Sequence, residues 1–183
     1  RCFRNEGMDT THLQDFTMLE GYGAYLNYED NMKFLQEMIQ TVVKNLFGKL
    51  ELTIDGTTVD ISGDWESISM RDLILKYTPI DIYEYDTKEK LLEKIKQEKI
   101  EIDSETPLEN LGYGNLVDQL YKKVARPHVV KPCFLTKHPI SLSPLARAND
   151  DNSNLTDRFQ LIINGAEIIN AYSELVDPIE QEK

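Results

Sequence analysis

Two dipeptides place the strongest limits on the fold of this sequence. Asp55-Gly56 and Asn164-Gly165 each lie between two runs of strand-forming residues, the second pair within residues 158–175. Asp-Gly and Asn-Gly favour two-residue type I′ turns, in which both central residues have a positive φ. The sequence therefore predicts two antiparallel hairpins and, with them, an antiparallel sheet.

A long helix and a third strand pair are predicted upstream of these hairpins. Apolar side chains recur at intervals of three and four across residues 29–47, which predicts an amphipathic helix, and Gly48 is a C-terminal stop signal. Residues 1–6 and 16–22 are typical of two strands joined by a polar loop. Long loops of this kind often carry functional residues.

The middle of the chain changes to a pattern of short helices. Ser69 with Asp72, Thr87 and Asn115 are predicted helix starts, because their side chains can accept hydrogen bonds from the first backbone N–H groups of a helix. Thr87 precedes a charged run over residues 88–97, which is expected to be a solvated helix.

We expect an α+β fold, an antiparallel sheet flanked by helices, with a helical insertion that protrudes at one edge. The predicted division assigns residues 1–65 and 127–183 to two parts of one core and residues 66–126 to the insertion subdomain. At 183 residues the chain has room for one domain with such an insertion.

Charge and composition exclude several classes of protein. The 20 basic and 32 acidic residues give a net charge of −12, which opposes non-specific nucleic-acid binding, and no apolar run approaches the length of a membrane helix. Cys2 and Cys133 indicate neither a disulfide framework nor a zinc site, so a reducing, cytoplasmic location is expected. The scattered His12, His128 and His138 are expected in surface or capping roles.

The first predicted strand pair can gather charged and aromatic groups on one face. The two-residue period places Arg4 with Glu6 on one strand and Phe16, Glu20 and Tyr22 together on the other. Such a face suits a bound nucleotide or amino acid. A surface ladder of cross-strand ion pairs would have the same spacing, so this alternative stays open here.

The last predicted strand carries a second polar face. Asn170, Tyr172 and Glu174 alternate with apolar or small residues, which suits a ligand but equally suits a solvated edge strand. Strict alternation puts Glu167 on the opposite face from Asn170. A site that includes both residues therefore needs a β-bulge.

These stretches together resemble a known family. Residues 1–9, RCFRNEGMD, and residues 16–22, FTMLEGY, resemble the second signature motif of class II aminoacyl-tRNA synthetases in its lysine-specific form. Residues 143–147, SPLAR, and residues 167–175, EIINAYSEL, are similar to the catalytic domain of lysyl-tRNA synthetases in order and spacing. The resemblance implies the antiparallel α+β catalytic core of that family.

The resemblance also implies roles for individual residues. The implied ATP-binding residues, the first of which would be catalytic, are Arg4, Glu6, His12 and Phe16. The implied lysine-binding residues are Glu20, Tyr22, Asn170, Tyr172 and Glu174. Glu167 would bind magnesium. Gln160 stands where the family usually has a second glutamate, so that either this metal site is weakened or Gln160 supplies a neutral oxygen.

The implied reaction is the activation of lysine with ATP to lysyl-adenylate, followed by transfer to tRNA(Lys), in a homodimeric parent enzyme with magnesium. The chain would be a fragment running from the second signature motif to just before the third. Alone it is expected to be inactive, and pyrophosphate exchange above background would contradict this. The alternatives are a paralogous ligase that attaches lysine to an elongation factor, and a non-catalytic interaction module that binds a partner through residues 66–126.

Overall fold

The computed structural model describes residues 1–5, 12–104 and 106–182, and this part contains eight strands and five α-helices. The strands are β1 (Cys2–Phe3), β2 (Asp15–Phe16), β3 (Glu51–Ile54), β4 (Thr57–Asp60), β5 (Glu66–Ser69), β6 (Cys133–Thr136), β7 (Arg158–Ile163) and β8 (Ala166–Tyr172). The helices are α1 (Tyr28–Phe47), α2 (Met70–Tyr77), α3 (Lys88–Gln97), α4 (Tyr113–Val124) and α5 (Pro178–Glu182).

A four-stranded sheet in the order β5-β6-β7-β8 carries the fold. β7 pairs antiparallel with both β6 and β8, whereas β5 pairs parallel with β6. The strand pairs β1-β2 and β3-β4 form two separate antiparallel ribbons. The predicted α+β class, with helices against a largely antiparallel sheet, is confirmed.

Both predicted two-residue hairpins are confirmed. Asp55 and Gly56 have φ angles of 49° and 80°, and Asn164 and Gly165 have φ angles of 49° and 72°. Positive φ at both central positions is the geometry of a type I′ turn, whose twist matches that of the flanking strands. The second turn places β8 beside β7, and these two strands carry much of the candidate site.

Local capping explains where most helices begin and end. Asn27 and Asp30 form a capping box at the start of α1, and Gly48 ends the helix with φ 70°. Ser69 and Thr87 cap α2 and α3, so the predictions for these three helices are confirmed.

The predicted start of α4 after Asn115 is wrong, because the helix begins at Tyr113 with Gly112 as its cap. A Cβ atom at Gly114 would lie 3.0 Å from Leu142 Cγ and 3.2 Å from Leu142 N, so only a residue without a side chain fits this close approach.

The first hairpin is shorter than predicted. β1 and β2 each contain two residues, and the pairs are Cys2 with Phe16 and Phe3 with Asp15. β2 ends at Phe16 and residues 17–22 are not in a strand, so the prediction of a strand over residues 16–22 is wrong. The alternation used to place Glu20 and Tyr22 on one strand face does not apply to them.

Two hydrophobic cores lie on opposite faces of the four-stranded sheet. On one face, side chains of α2, α3 and α4 pack against Cys133, Leu135 and Ile162. On the other face, Phe134 and Phe159 pack against Trp65 and, with neighbouring strand residues, against α1 and the β3-β4 ribbon. Alternate residues of β6 and β7 thus serve different cores.

The helical segment between residues 66 and 126 is tied closely to the sheet. It begins with β5, which is a strand of the main sheet, and α2 and α4 share a core with β6 and β7. These helices therefore lie against a face of the sheet rather than protruding from its edge. The division at residues 65 and 126 into separate parts stays a prediction.

Within the described residues, no helix combines the length and the apolar character that crossing a membrane requires.

Candidate active site

A β-bulge between β7 and β8 brings the polar residues of the two strands onto one face. Gln160 pairs with Asn170 and Leu161 with Ile169, but the next pair is Ile162 with Glu167. Ile168 is therefore the extra residue, and the strand resumes with Glu167 on the same face as Gln160 and Asn170. The predicted need for a bulge is met, and the amide of Gln160 donates a 2.7 Å hydrogen bond to Glu167 Oε2.

His138 lies beneath this polar face. Its side chain is 1% exposed, and its Nε2 atom lies 3.1 Å from Gln160 Oε1. Burial, reinforced by the positive charge of Arg158, lowers the pKa of His138 to about 3, so the imidazole is neutral at physiological pH. The predicted surface or capping role of His138 is therefore wrong.

Arg158 organises the neighbouring end of the face. It donates to Asn170 Oδ1 at 2.9 Å, to Ser143 Oγ at 2.7 Å and to the Leu142 carbonyl at 3.2 Å. It also pairs in register with Tyr172 across the two strands. The guanidinium thus fixes the orientation of the Asn170 side chain, one of the predicted lysine-binding residues.

An acidic cluster forms where the segment after β2 approaches the end of β8. The Tyr22 hydroxyl donates a 3.3 Å hydrogen bond to Glu20 Oε2. The pKa of Tyr22 is raised, first by the charge and hydrogen bond of Glu20, then by desolvation, and further by Glu174 and Tyr172. The charges of Glu20 and Glu174 therefore act on the same phenol, although they are 154 positions apart in the sequence. Tyr22 is 82% exposed, so the cluster lies on an open surface rather than in a closed cleft.

The backbone around Glu174 is held by the loop that carries the SPLAR sequence. Arg147 N–H donates to the Ser173 carbonyl at 2.8 Å, and Leu175 N–H donates to the Leu145 carbonyl at 3.0 Å. Glu174 itself forms an isolated antiparallel bridge with Ala146. Glu174 thus lies on a short, paired backbone segment that continues the line of β8.

Asp157 connects this segment to the rest of the loop. Its carboxylate is buried, accepts hydrogen bonds from Arg147 at 3.3 Å and Asn149 at 2.7 Å, and its carbonyl accepts from Ser173 N–H at 2.9 Å. Ser173 Oγ in turn accepts from the first backbone N–H of α1, at Tyr28. The orientation of Glu174 therefore depends on residues that do not belong to the acidic cluster.

We expect Asp157→Asn to lower the free energy of unfolding by about 1–3 kcal/mol, because a buried carboxylate that accepts two hydrogen bonds is replaced by a neutral amide. Asp150→Asn is the matched control, since Asp150 also pairs with Arg147 but is 77% exposed. Its expected effect is below about 0.5 kcal/mol. Urea unfolding measures both variants, and equal losses would contradict the assignment of the bracing role to Asp157.

Two of the predicted ATP-binding residues, Arg4 and Phe16, lie at the short first hairpin. The Arg4 guanidinium carbon lies 5.5 Å from the centre of the Phe16 ring, and Arg4 N–H donates to the Gln14 carbonyl at 2.9 Å. His12 has an exposed side chain. Glu6 lies outside the described residues.

Among the side chains of the candidate site, the one that suits a magnesium ion is Glu167. Among the described residues there is no group of three His, Cys, Asp or Glu side chains that could hold a metal ion. Magnesium usually binds through one or two carboxylates together with substrate phosphates, and Glu167 is exposed with only its Oε2 atom in the hydrogen bond from Gln160. The chain thus offers one carboxylate that suits magnesium beside a phosphate ligand.

Sequence reasoning missed three residues that organise the site: His138, Arg158 and Asp157. β6 is buried on both faces and Lys137 has a positive φ of 55°, so the alternation along β6 does not extend to His138 and carried no signal of its burial. For Arg158 and Asp157 the available signal was their place at the start of a predicted strand. Their partners lie in a loop whose course the sequence does not indicate.

A family model described as class II tRNA synthetases (D, K and N) matches residues 1–183. The chain is 43% identical over 181 residues to the lysine–tRNA ligase of Dehalococcoides mccartyi strain BAV1, and this match covers 99% of the chain and 35% of the relative. It is 40% identical over 179 residues to the lysine–tRNA ligase of Thermosipho africanus, covering 98% of the chain and 34% of the relative. The lysine–tRNA ligase of Staphylococcus epidermidis is 34% identical over 181 residues, covering 99% of the chain and 36% of the relative.

The chain spans about a third of the length of these curated relatives. The family match, by contrast, extends over every residue of the chain, including the first hairpin, the bulged strands and the acidic cluster. This chain belongs to the class II tRNA synthetases of the D, K and N group.

Proposed function

We propose that this chain supplies the lysine-binding part of the active site of a lysine–tRNA ligase. The observation that carries the proposal is the hydrogen bond from the Tyr22 hydroxyl to Glu20, with Tyr172 and Glu174 following one another along the paired end of β8. The pKa of Tyr22, raised first by Glu20 and further by Glu174 and Tyr172, agrees with this arrangement. In this proposal, these two carboxylates and two phenols from distant parts of the chain together receive the ammonium group of lysine. The names of the similar proteins support the same substrate.

Charge explains why lysine would be selected. A ligand ammonium that loses water on binding needs opposite charge and hydrogen-bond acceptors, or its desolvation opposes binding. Glu174 and Glu20 supply the charge, and the Tyr22 and Tyr172 hydroxyls supply further acceptors. An aspartate-type or asparagine-type pocket would require a different group at position 174.

The hairpin residues would receive ATP. In this proposal Arg4 holds the α-phosphate and the lysine carboxylate, while Phe16 stacks on the adenine ring, and Glu6 and His12 lie at the nucleotide. A guanidinium suits this role because it forms paired hydrogen bonds with phosphate and carboxylate oxygens. Magnesium would supply Lewis-acid stabilisation at Glu167.

The proposed chemistry requires no protein nucleophile. The lysine carboxylate attacks the α-phosphorus of ATP, the bond to the leaving pyrophosphate breaks, and lysyl-adenylate forms. The chain contributes by aligning the two substrates and by placing Arg4 where negative charge develops. A terminal hydroxyl of tRNA(Lys) then displaces AMP. The resemblance supports a cytoplasmic homodimer as the whole enzyme.

Isothermal titration of the chain with lysine and with norleucine tests the proposal. Norleucine has the same carbon chain without the ammonium group, so we expect lysine to bind with at least tenfold higher affinity. Equal affinity for both compounds, or no heat with either, would contradict the proposed lysine site. The second outcome would favour a non-catalytic interaction module.

A further inference from the structure

Three side chains under the candidate site form a continuous hydrogen-bonded chain. Gln160 Nε2 lies 2.7 Å from Glu167 Oε2, and Gln160 Oε1 lies 3.1 Å from His138 Nε2. A carboxylate only accepts hydrogen bonds, so the NH₂ group of Gln160 must face Glu167. The amide oxygen of Gln160 therefore faces the buried imidazole.

This direction fixes the tautomer of His138. Because the amide oxygen of Gln160 only accepts, His138 Nε2 must carry the proton and donate. The hydrogen bond to the Gln160 amide oxygen therefore assigns the proton to Nε2.

We propose that His138 is a positioning residue, which holds Gln160 as a hydrogen-bond donor to Glu167 and keeps the Gln160 amide oxygen from binding a cation. Gln160 is 6% exposed, and its oxygen is turned away from Glu167 towards the protein interior. Of Gln160 and Glu167, only Glu167 then offers a side-chain oxygen that can coordinate magnesium. The involvement of magnesium rests on the proposed function. The directions of the hydrogen bonds follow from the geometry of the three side chains alone.

The two possible orientations of Gln160 predict different tautomers. If the amide oxygen of Gln160 turned towards a cation, its NH₂ group would face His138, and Nε2 would have to lose its proton to Nδ1. Long-range ¹H–¹⁵N spectra distinguish the two neutral forms of a histidine directly. His128, which is exposed and stacks on Tyr77, is an internal reference in the same spectrum.

The test records the His138 signals of the chain alone, with excess MgCl₂, and with MgCl₂ and ATP. We expect the Nε2–H form in all three samples. The Nδ1–H form in any of them, or a mixture of the two forms, would overturn the proposal. Lysine enters none of these samples, so failure of the proposed lysine site is measured separately by the titration with norleucine.

A variant tests the contact itself. In Gln160→Leu the imidazole loses its partner, so the His138 signals should shift while those of His128 stay unchanged. A merely structural role for His138 in filling the core would not make its tautomer depend on residue 160. Unchanged His138 signals in Gln160→Leu would therefore also overturn the proposal.

Discussion

Glu174→Gln should weaken lysine binding about fivefold, because Glu174 is exposed and an exposed ion pair contributes up to about 1 kcal/mol. The glutamine keeps the size and the polar character of the side chain but removes its charge. Binding of norleucine should change by less than about threefold, since norleucine has no ammonium group. Isothermal titration of both ligands with both proteins gives the coupling between residue 174 and the ammonium.

One control variant and one further variant of the site support the interpretation of this result. Glu89→Gln removes an exposed carboxylate on α3 and should leave lysine affinity within about twofold of wild type. Glu20→Gln should weaken lysine binding as well, because the Tyr22 hydroxyl that it orients loses a charged acceptor. An equal loss of affinity for lysine and for norleucine in Glu174→Gln would show that the variant disturbs the whole site. This result would contradict recognition of lysine by charge.

Leu120→Ala should lower the free energy of unfolding by about 2–5 kcal/mol, because Leu120 is fully buried in the core that α4 shares with the sheet. Leu145→Ala is the matched control. Leu145 is 62% exposed, so its truncation should cost less than about 0.5 kcal/mol. Urea unfolding followed by far-ultraviolet circular dichroism measures both variants.

The same experiment tests the predicted division of the chain at residues 65 and 126. Trp65 is the single tryptophan and packs in the core on the opposite face of the sheet from Leu120. If the two cores unfold together, the urea midpoint measured by Trp65 fluorescence and the midpoint measured by circular dichroism should fall by the same amount in Leu120→Ala. A loss of helical signal at lower urea than the Trp65 transition would support an independent insertion subdomain.

Local sequence signals predicted the elements that depend on nearby residues. The positive φ angles of Asn164 and Gly165 follow from the residue types that a two-residue turn requires. The start of α3 follows from the Thr87 side chain, which lies within one turn of the N–H group that it accepts. These interactions span at most a few residues, so both partners can be recognised next to each other in the sequence.

Long-range pairing decided the features that the sequence left open. The strand predicted over residues 16–22 forms only as far as Phe16, which pairs with Cys2 of β1. β5 joins the sheet by parallel pairing with β6, more than 60 positions away in the sequence. His138 is buried and contacts Gln160, 22 positions away in the sequence, and nothing in the residues around His138 indicates this neighbour.

The sequence by itself determined the turns, the helix caps, the family and the residue types available for binding an ammonium group. Tertiary structure alone decided that the bulge at Ile168 brings Glu167 beside Gln160, and that Glu20 and Glu174 act on one phenol. The physical reason is that turns and caps are satisfied within a few residues of the chain. The bulge depends on which strands pair and in what register, and burial of the two cores sets both. The acidic cluster depends on the course of residues 17–22, which lie outside the strands.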